Sequence, residues 1–493
     1  MTVHTPEPAT HAWQSLIGGE WVEAADGRRF DVHDPYSGAV VGDAPALGRA
    51  DARRAIEAAG AAFPAWAATP PAERQGVFLR AAALLEERRE RVVAQLAREA
   101  GTTFGFASFQ VGFVAGLFRQ VAAVPYAPIG EVLPSDMPGA LAMGLRRPVG
   151  VVAAIAPWNA ALILSARSIA APLALGNAVV LKPSEHSPYV GGLLWGELLG
   201  EAGLPAGVLN VVTHAPGEAA AIGDELVEHP LVRRINFTGS TATGRRLAEA
   251  AGRNLKRVVL ELGGSNPLIV LRDAELPYAV DAATFGSFAN QGQICMSARR
   301  IVVERPIAEV FLDGFARRAR ELKVGDPRER DTIIGPLIDA HAVATVRERI
   351  AEAVAGGARL LAGGEADGPC VQPTVLTDVP AGAALAQHET FGPVVTVTVV
   401  EDAEEALAVA DATPYGLSAG ILTRDLDKGF ALAERLRSGI VHVNDQPVHD
   451  EPQMPFGGVK DSGWGRFGGS AAIDEFTELR WVTLQSGTRP FPF

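Results

Sequence analysis

The sequence predicts an α/β protein with two domains, each built on a parallel sheet. The chain has 493 residues, whereas a single hydrophobic core stops growing at roughly 250–300 residues. Its composition is that of an ordinary globular protein, with 48% hydrophobic and 20% charged residues. Short β-rich runs alternate with longer helical patterns, which is typical of βαβ units. We therefore expect two cores, each covering both faces of a sheet.

The first alternating region gives the first of these sheets. The runs GVVAAIAP and AVVLKPS have no polar alternation, as expected for strands that are buried on both faces. Strands are predicted at 150–157, 178–184, 208–212 and 233–240. Helices are predicted between them, including one that ends near Leu175 and one at about 189–202.

A second alternating region follows. VVLELG (258–263) begins a new region, and from 266 to about 445 strands and helices alternate again. The first of them are predicted as a strand at 266–271, a helix at 277–291, a strand at 299–304 and a helix to about Leu322. Two pieces fit neither sheet: a polar extended excursion at 127–147 and a late strand at 477–485. The late strand either pairs with a neighbouring subunit or packs on its own domain.

Charge and cysteine content argue against several classes of protein. Lys and Arg total 44 against 57 Asp and Glu, a net charge of -13, which argues against nucleic acid or anionic membrane as a partner. Cys295 and Cys370 are too few for a disulfide framework and fit a reducing compartment. The opening MTVHTPEPATHAWQSL has no secretory-signal pattern, and the most apolar stretch is broken by Pro157–Asn159. We expect a cytoplasmic protein.

Cys295 is the candidate nucleophile. It lies in GQICMSAR, after a helix and a turn with glycine, whereas Cys370 has no comparable setting. Most lone cysteines are small buried hydrophobes, so the role requires a positive field or a base nearby. Glu261, at the end of an apolar strand and before two glycines, is the candidate base with a raised pKa; the alternative is a solvated glutamate.

Asn159 and two strand ends complete the candidate site. Asn159 follows a strand at the mouth of a helix, where it either stabilises an oxyanion or acts as an ordinary N-cap. FTGSTATG places Gly239, Ser240 and Gly244 at a turn that suits a pyrophosphate, although it lacks the G-x-G-x-x-G pattern. KPSE offers Lys182 and Glu185 for ribose hydroxyls, or as surface charges.

Nine segments occur in register over nearly the whole chain: IGGEW, PWN, KPSE, FTGS, LELGGSNP, GQICMS, ETFGPV, YGLSAG and PFGGVKDSGWGR. In this order they resemble the aldehyde dehydrogenase superfamily. The resemblance implies an aldehyde dehydrogenase-like α/β fold: a Rossmann-like nucleotide-binding domain, a catalytic domain and a β oligomerisation arm. The corresponding ranges are 1–126 with 148–260, then 261–470, and 127–147 with 471–493. A homodimer or homotetramer is expected.

The resemblance also implies a covalent mechanism. Cys295 attacks the aldehyde carbon, Asn159 and the Cys295 N–H hold the oxyanion, hydride passes to the nicotinamide, and Glu261 activates the water that releases the acid from a thioester. Lys182 and Glu185 grip the adenine ribose, which favours NAD and leaves NADP possible, because Lys182 could also meet a 2′-phosphate. The other implied cofactor residues are Ile155, Pro157, Trp158, Ser184, Leu262, Glu389 and Phe391. No metal site is implied.

Within the family, segments 442–458 and 162–168 look most like the benzaldehyde, salicylaldehyde and vanillin dehydrogenases. An aromatic aldehyde is the expected substrate, with Ile294 and Met296 at the pocket. Arg167 lies two helical turns beyond Asn159 and either recognises the ring or makes a structural ion pair.

Other classes of function remain. A cysteine esterase or amidase needs a histidine partner, and none of the ten histidines falls in the motifs around Cys295. A CoA-acylating semialdehyde dehydrogenase has no use for Glu261 as a water-activating base. A non-catalytic protein that keeps the fold is the fourth class.

Overall fold

The structure, a computed structural model, describes residues 11–493. Residues 1–10 lie outside the described residues, and so does that part of the sequence prediction about a secretory signal. The elements of the first part are β1 (His11–Ala12), β2 (Ser15–Ile17), β3 (Glu20–Val22), β4 (Arg29–His33), β5 (Val40–Pro45), α1 (Arg49–Ala68), α2 (Pro71–Glu87), α3 (Arg89–Ala100), α4 (Phe104–Val121), β6 (Gly130–Leu133) and β7 (Ala140–Pro148).

The predicted alternation of the first region is confirmed. Its elements are β8 (Val151–Ile155), α5 (Ala161–Ala174), β9 (Ala178–Lys182), a π-helical turn (Tyr189–Leu193) that leads into α6 (Leu194–Glu201), β10 (Leu209–Val211), α7 (Ala219–Glu228), β11 (Val232–Thr238), α8 (Thr241–Arg253) and β12 (Arg257–Glu261).

The second region contains the second sheet and its helices. It comprises β13 (Asn266–Val270), α9 (Leu276–Phe288), β14 (Ala298–Glu304), α10 (Arg305–Arg320), α11 (Ala340–Ala355), β15 (Arg359–Ala362), β16 (Ala366–Asp367), β17 (Cys370–Val371), β18 (Thr374–Thr377), α12 (Ala384–Gln387), β19 (Val394–Val400), α13 (Ala403–Asp411), β20 (Ser418–Leu422), α14 (Leu426–Arg435) and β21 (Ile440–Val443). The chain then continues with β22 (Gly463–Trp464), α15 (Gly469–Phe476) and β23 (Thr477–Gln485).

Two large sheets carry the two domains. The first has the order β22-β12-β11-β8-β9-β10-β2-β3, and the second has the order β15-β18-β19-β14-β13-β20-β21. The central strands of both are parallel, and antiparallel pairing occurs only towards the edges. The carboxyl ends of parallel strands share one edge of a sheet, where ligands of such folds bind.

Alternation along the strands explains why each sheet has two cores. Val152 and Ala154 of β8 belong to one apolar cluster, and Val151, Ala153 and Ile155 belong to another. Successive side chains of a strand point to opposite faces, so a strand that is apolar throughout is covered on both sides. The same division separates Leu268 from Ile269 in β13.

Two predicted boundaries differ from the structure. Residues 258–263 do not open a new region, because β12 is a parallel strand of the first sheet, beside β11. Within the range 261–470 assigned to the catalytic domain, β22 pairs with β12 of the first sheet, and Phe467 is buried in the first domain's core. A glycine-rich segment without periodicity gives no sequence signal for this return.

The excursion and the late strand form a third, antiparallel sheet. β23 pairs with β7 over nine consecutive residue pairs, and β6 pairs with the other edge of β7. The predicted late strand therefore pairs within its own chain. Three of its apolar side chains, Leu479, Trp481 and Leu484, are exposed among exposed polar neighbours.

Helix α4 is the most apolar long helix. It is long and apolar enough to cross a membrane by length and composition, but more than half of that stretch is buried inside the protein. Its contacts with α2, α3 and α5 make it a core helix of the first domain, and Val111, Val114 and Phe118 are fully buried there.

Candidate active site

A cavity of about 720 Å³ contains Cys295 and Asn159 among its lining residues. Five phenylalanines contribute to its walls: Phe106, Phe109, Phe285, Phe288 and Phe456. Hydrogen bonds of Asn159 and Glu261, described below, join the first domain to the second at this place. The carboxyl ends of β8 and β12 bring these two polar side chains to the junction.

A sharp backbone turn carries Cys295 into the cavity. Helix α9 ends at Phe288, and Asn290, Gln291 and Gly292 follow with φ of 48°, 56° and 66°. This left-handed region is uncommon for side chains other than glycine and asparagine. A Cβ on Gly292 would collide with the carbonyl of Gly392. The predicted glycine turn before the cysteine is therefore present, and Gly292 is required by close backbone approach.

The surroundings of Cys295 favour its thiol form over the thiolate. Burial raises the pKa of Cys295 to about 12, the negative charges of Glu261 and Glu389 add to the rise, and Arg299 and Arg167 oppose it. The Cys295 carbonyl accepts a hydrogen bond from Nδ2 of Asn266 at 2.7 Å. The neighbours Ile294 and Met296 are buried and line the cavity.

Glu261 is buried, as the sequence predicted, and is not a surface residue. It is the last residue of β12 and is 2% exposed. Its Oε1 accepts a hydrogen bond from the Gly458 N–H at 3.3 Å, and its Oε2 is buried without a partner. Burial raises the pKa of Glu261 to about 8. A carboxyl with this pKa is suited to accept a proton near neutral pH.

Asn159 is held from both sides by the cysteine loop. Its Nδ2 donates to the Gln293 carbonyl at 2.9 Å, and its own carbonyl accepts from Nδ2 of Asn290 at 2.8 Å. The residue at the N-cap of α5 is Ala160, without a side-chain cap. Asn159 is thus not an ordinary N-cap, and its second amide proton is available beside Cys295.

A buried charge cluster lies at the end of β9. Lys182 Nζ lies 2.5 Å from Nε2 of His214. This imidazole nitrogen, His214 Nε2, also lies 3.7 Å from Oε2 of Glu185. Ser184 Oγ donates to Glu185 at 3.1 Å. Lys182 is 7% exposed, so it is not the free surface charge that the sequence left as an alternative. Burial lowers the pKa of Lys182 to about 8.

The predicted pyrophosphate turn is built differently from expectation. The Gly239 N–H donates to the Glu261 carbonyl and the Gly244 N–H donates to the Ser240 carbonyl, so neither is free for a ligand. A Cβ on Gly244 would collide with the side chain of Leu262. Ser240 caps α8 by accepting from the Thr243 N–H. Gly244 serves close packing, and the first turn of α8 retains the open N–H groups.

Glu389 and Phe391 lie beside the glycines that follow Glu261. Glu389 Oε1 accepts from the Gly264 N–H at 3.0 Å, and a Cβ on Gly263 would collide with the same carboxylate. Burial raises the pKa of Glu389. Phe391 packs edge-on against Trp158, with ring centroids 5.7 Å apart. Of the other implied cofactor residues, Ile155 packs in the core of the first domain and Pro157 is half-buried.

Arg167 lines the cavity as an ion pair. Its guanidinium bonds to Asp450, and both side chains are almost entirely buried. It lies over the ring of Phe456 at 4.3 Å from the centroid. The alternative of a structural ion pair at the pocket wall therefore describes the geometry, and the cation is already neutralised before any substrate arrives.

Three residues of the site have no counterpart in the sequence prediction. They are His214, Asp450 and Arg299. The only signal in the sequence is the pair Arg299–Arg300 at the start of a buried strand, because a buried arginine needs partners. In the part of the chain that the structure describes, no cluster of three or more metal-ligating side chains occurs.

Known proteins that are similar to this chain belong to one enzyme family. The family model described as "Aldehyde dehydrogenase family" matches residues 21–482. A vanillin dehydrogenase of Pseudomonas fluorescens is 48% identical over 477 residues, which cover 97% of this chain and 98% of that protein. A benzaldehyde dehydrogenase (NAD⁺) of Pseudomonas putida is 41% identical over 479 residues, with 97% of both chains covered.

Among solved structures, one neighbour carries a bound aldehyde. The salicylaldehyde dehydrogenase of Pseudomonas putida G7, complexed with salicylaldehyde, is 39% identical. It superposes with a TM-score of 0.96 over 98% of this chain and 100% of that chain. The two-domain fold predicted from the sequence is confirmed by this match.

Proposed function

The chain belongs to the aldehyde dehydrogenase family, and on that premise we propose that it oxidises aromatic aldehydes to carboxylic acids with NAD. The observation that carries the proposal is the convergence of Cys295 and Asn159 on one cavity with aromatic walls. Aldehyde oxidation with NAD(P) is the activity of the family.

The proposed reaction proceeds through covalent bonds to Cys295. After the thiol proton has passed to Glu261 and on to solvent, the sulfur adds to the aldehyde carbon, and the oxygen takes the negative charge, held by Asn159 Nδ2–H and the Cys295 N–H. The nicotinamide supplies a two-electron acceptor, to which the carbon loses hydride, leaving a thioester. Glu261 then takes a proton from water, the hydroxide adds to the thioester, and the C–S bond breaks to release the acid.

An adenosine ribose with free hydroxyls fits the charge cluster at the end of β9. The Lys182 ammonium donates and the Glu185 carboxylate accepts hydrogen bonds, which is the donor set that two hydroxyls need. A 2′-phosphate would place its charge beside Glu185, while His214 already engages Lys182. This arrangement supports NAD over NADP.

Aromatic substrates fit the walls of the cavity. Five phenylalanines and Met296 line it, and aromatic pairs contribute stabilisation beyond the area they bury. The relatives named for vanillin, benzaldehyde and salicylaldehyde add support. Arg167 and Asp450 are among the polar residues of the wall, where they are paired with each other.

The alternative functions have less support. A cysteine hydrolase needs a histidine beside the thiol. His449 lines the cavity, but its Nδ1 lies 2.6 Å from Asp445 and its Nε2 lies 3.4 Å from Glu451, so both nitrogens have carboxylate partners. Transfer of the acyl group to coenzyme A would leave the buried base Glu261 without a task.

The assembly and the location of the protein are also proposals. The free edge of β23 and its exposed Leu479, Trp481 and Leu484 suit pairing with a second copy, so we propose a homodimer or homotetramer. The absence of a disulfide framework and the acidic net charge favour the cytoplasm.

One assay tests the proposed function. The purified protein is incubated with benzaldehyde and NAD⁺, with and without coenzyme A, and NADH is followed. Turnover without coenzyme A is expected, and Cys295→Ala abolishes it. Cys370→Ala, at the buried cysteine outside the cavity, is the matched control. No NADH from a panel of aromatic aldehydes contradicts the proposal, and turnover that requires coenzyme A favours the acylating enzyme.

A further inference from the structure

Arg299 is a buried arginine that the proposed chemistry does not use. It is the second residue of β14 and is 5% exposed. Its neighbour Arg300 points to the opposite face of the strand, where it bonds to the carbonyls of Val409 and Ala410. Burying a guanidinium is costly unless each of its N–H groups finds an acceptor. The position of these acceptors indicates what Arg299 does.

Backbone carbonyls satisfy the whole guanidinium of Arg299. Nε donates to Thr390 at 2.9 Å, and Nη2 donates to Gly292 at 3.1 Å and to Ile294 at 3.0 Å. Nη1 makes two longer bonds, at 3.4 Å each, to Gly264 and Ser297. The five donors of the rigid fork thus reach three separate segments of the chain.

Each of these segments carries part of the candidate site. The loop 292–297 contains Cys295. Thr390 lies between Glu389 and Phe391, and Gly264 donates its N–H to Glu389. The guanidinium also lies 3.7 Å from Glu389 Oε1 and at 5.3 Å from the centroid of the Phe391 ring. One side chain therefore joins the loop of the nucleophile to the segment that would hold the nicotinamide end.

We propose that Arg299 is a positioning residue, which fixes the Cys295 loop against the Glu389–Phe391 segment and supplies a permanent positive charge to the thiol's surroundings. The proposal rests on the proposed function of Cys295. Arg299 contacts neither substrate nor cofactor in this role. It acts through the loop carbonyls and through its charge.

The charges around Cys295 explain why this cation matters. Glu261 and Glu389 both disfavour the thiolate, and Arg299 and Arg167 are the two positive groups that favour it. The positive charge of Arg167 is matched by its buried partner Asp450. Arg299 has its closest carboxylate, Glu389, at 3.7 Å, and its hydrogen bonds go to neutral carbonyls. Loss of Arg299 therefore leaves the thiolate facing two carboxylates.

The test measures the reactivity of Cys295 in the cofactor-free protein. Alkylation by iodoacetamide is followed against pH in a Cys370→Ala background, so that only Cys295 reacts. Arg299→Gln, which removes the charge, is expected to lower the rate of alkylation about tenfold at every pH below the pKa of the thiol. Arg300→Gln, on the other face of the same strand, leaves the profile unchanged.

A second variant separates the charge from the fork. Arg299→Lys keeps the charge and loses the five-donor geometry, so the alkylation profile stays near that of the wild type. NAD⁺ binding, read from the quenching of tryptophan fluorescence, weakens several-fold. Wild-type NAD⁺ affinity in Arg299→Lys overturns the positioning role even if Arg299→Gln does not fold. An unchanged alkylation profile in folded Arg299→Gln overturns the electrostatic role. Neither readout needs aldehyde turnover, so a failure of the proposed function is seen separately in the NADH assay.

Discussion

The ammonium of Lys182 lies 2.5 Å from Nε2 of His214, a histidine whose side chain is completely buried. Burial and the neighbouring lysine lower the pKa of His214 to about 4. The imidazole is therefore neutral at physiological pH, and its Nδ1, 3.0 Å from the Ala215 carbonyl, is the protonated nitrogen. His214 thus presents a lone pair to Lys182 and fixes the direction of the ammonium.

This relationship predicts a pH limit on NAD⁺ binding. Lys182 carries its charge below a pKa of about 8 and loses it above, so affinity for NAD⁺ is expected to fall as the pH rises through 8. His214→Leu removes the acceptor and weakens NAD⁺ binding several-fold at pH 7. Fluorescence titration of the cofactor-free protein measures both effects, with His341→Leu, at an exposed position of α11, as control. A pH-independent affinity in the wild type contradicts this role of Lys182.

Glu261→Gln is expected to separate the two halves of the reaction. The amide cannot take a proton from water, so the thioester accumulates after about one NADH per active site, and the steady-state rate falls by about 10²–10⁴. Rapid mixing with benzaldehyde and NAD⁺ shows the burst, and mass spectrometry shows the acylated Cys295. Glu434→Gln, at an exposed position of α14, serves as the control. A wild-type steady state in Glu261→Gln would exclude the proposed base.

The pH profile of the wild-type enzyme follows from the same carboxyl. Burial raises the pKa of Glu261 to about 8, so the protonated, inactive form dominates below that pH. We expect kcat to rise with pH and to level off above about 8 where hydrolysis of the thioester limits turnover. A profile that is flat between pH 6 and pH 9 would fit neither a buried base nor hydrolysis as the slow step.

Asn159→Ala removes one proposed oxyanion donor. Loss of such a donor lowers kcat by about 10²–10³, and the variant also loses the bond to the Gln293 carbonyl that holds the cysteine loop. Steady-state kinetics with benzaldehyde give the first effect. Asn254→Ala, at the exposed end of α8, is the matched control. Unchanged kcat in Asn159→Ala would remove this residue from the oxyanion site.

Arg167→Ala distinguishes an ion pair from recognition of the ring. Breaking a buried pair by removing one partner costs about 3–5 kcal/mol in the free energy of unfolding, because Asp450 is left buried and unpaired. We expect this loss in denaturant unfolding, together with equal reductions of kcat/KM for benzaldehyde and hydroxybenzaldehydes. A reduction confined to the hydroxylated aldehydes, with stability retained, would assign Arg167 to the ring hydroxyl.

The strands and the nucleophile could be predicted because the sequence patterns that indicate them are local. An apolar run such as Val151–Ile155 predicts a strand buried on both faces, and the order of the motifs predicts which side chains meet. The return of β22 to the first sheet was not predictable, since it depends on pairing with β12 across about two hundred residues of sequence. Gly244 looked like a phosphate glycine, and only the position of Leu262 shows that it serves packing.

The partners of the buried cations also could not be predicted from the sequence. Asp450 and His214 lie in segments without periodicity, and nothing in the sequence distinguishes them from other aspartates and histidines. Their importance comes from the cations that the fold places beside them, Arg167 and Lys182. Arg299 differs in that a charged residue at the start of a buried strand is itself unusual.

The pairing of β23 with β7 has a consequence for the order of events during synthesis. Arg146 at the end of β7 meets Thr477 at the start of β23, a separation of 331 residues. At bacterial or eukaryotic elongation rates of about 5–20 residues per second, β7 waits on the order of tens of seconds for its partner. During this interval one ladder of β7 is open, so the nascent chain presents an unpaired strand edge that a chaperone or a second nascent chain can engage.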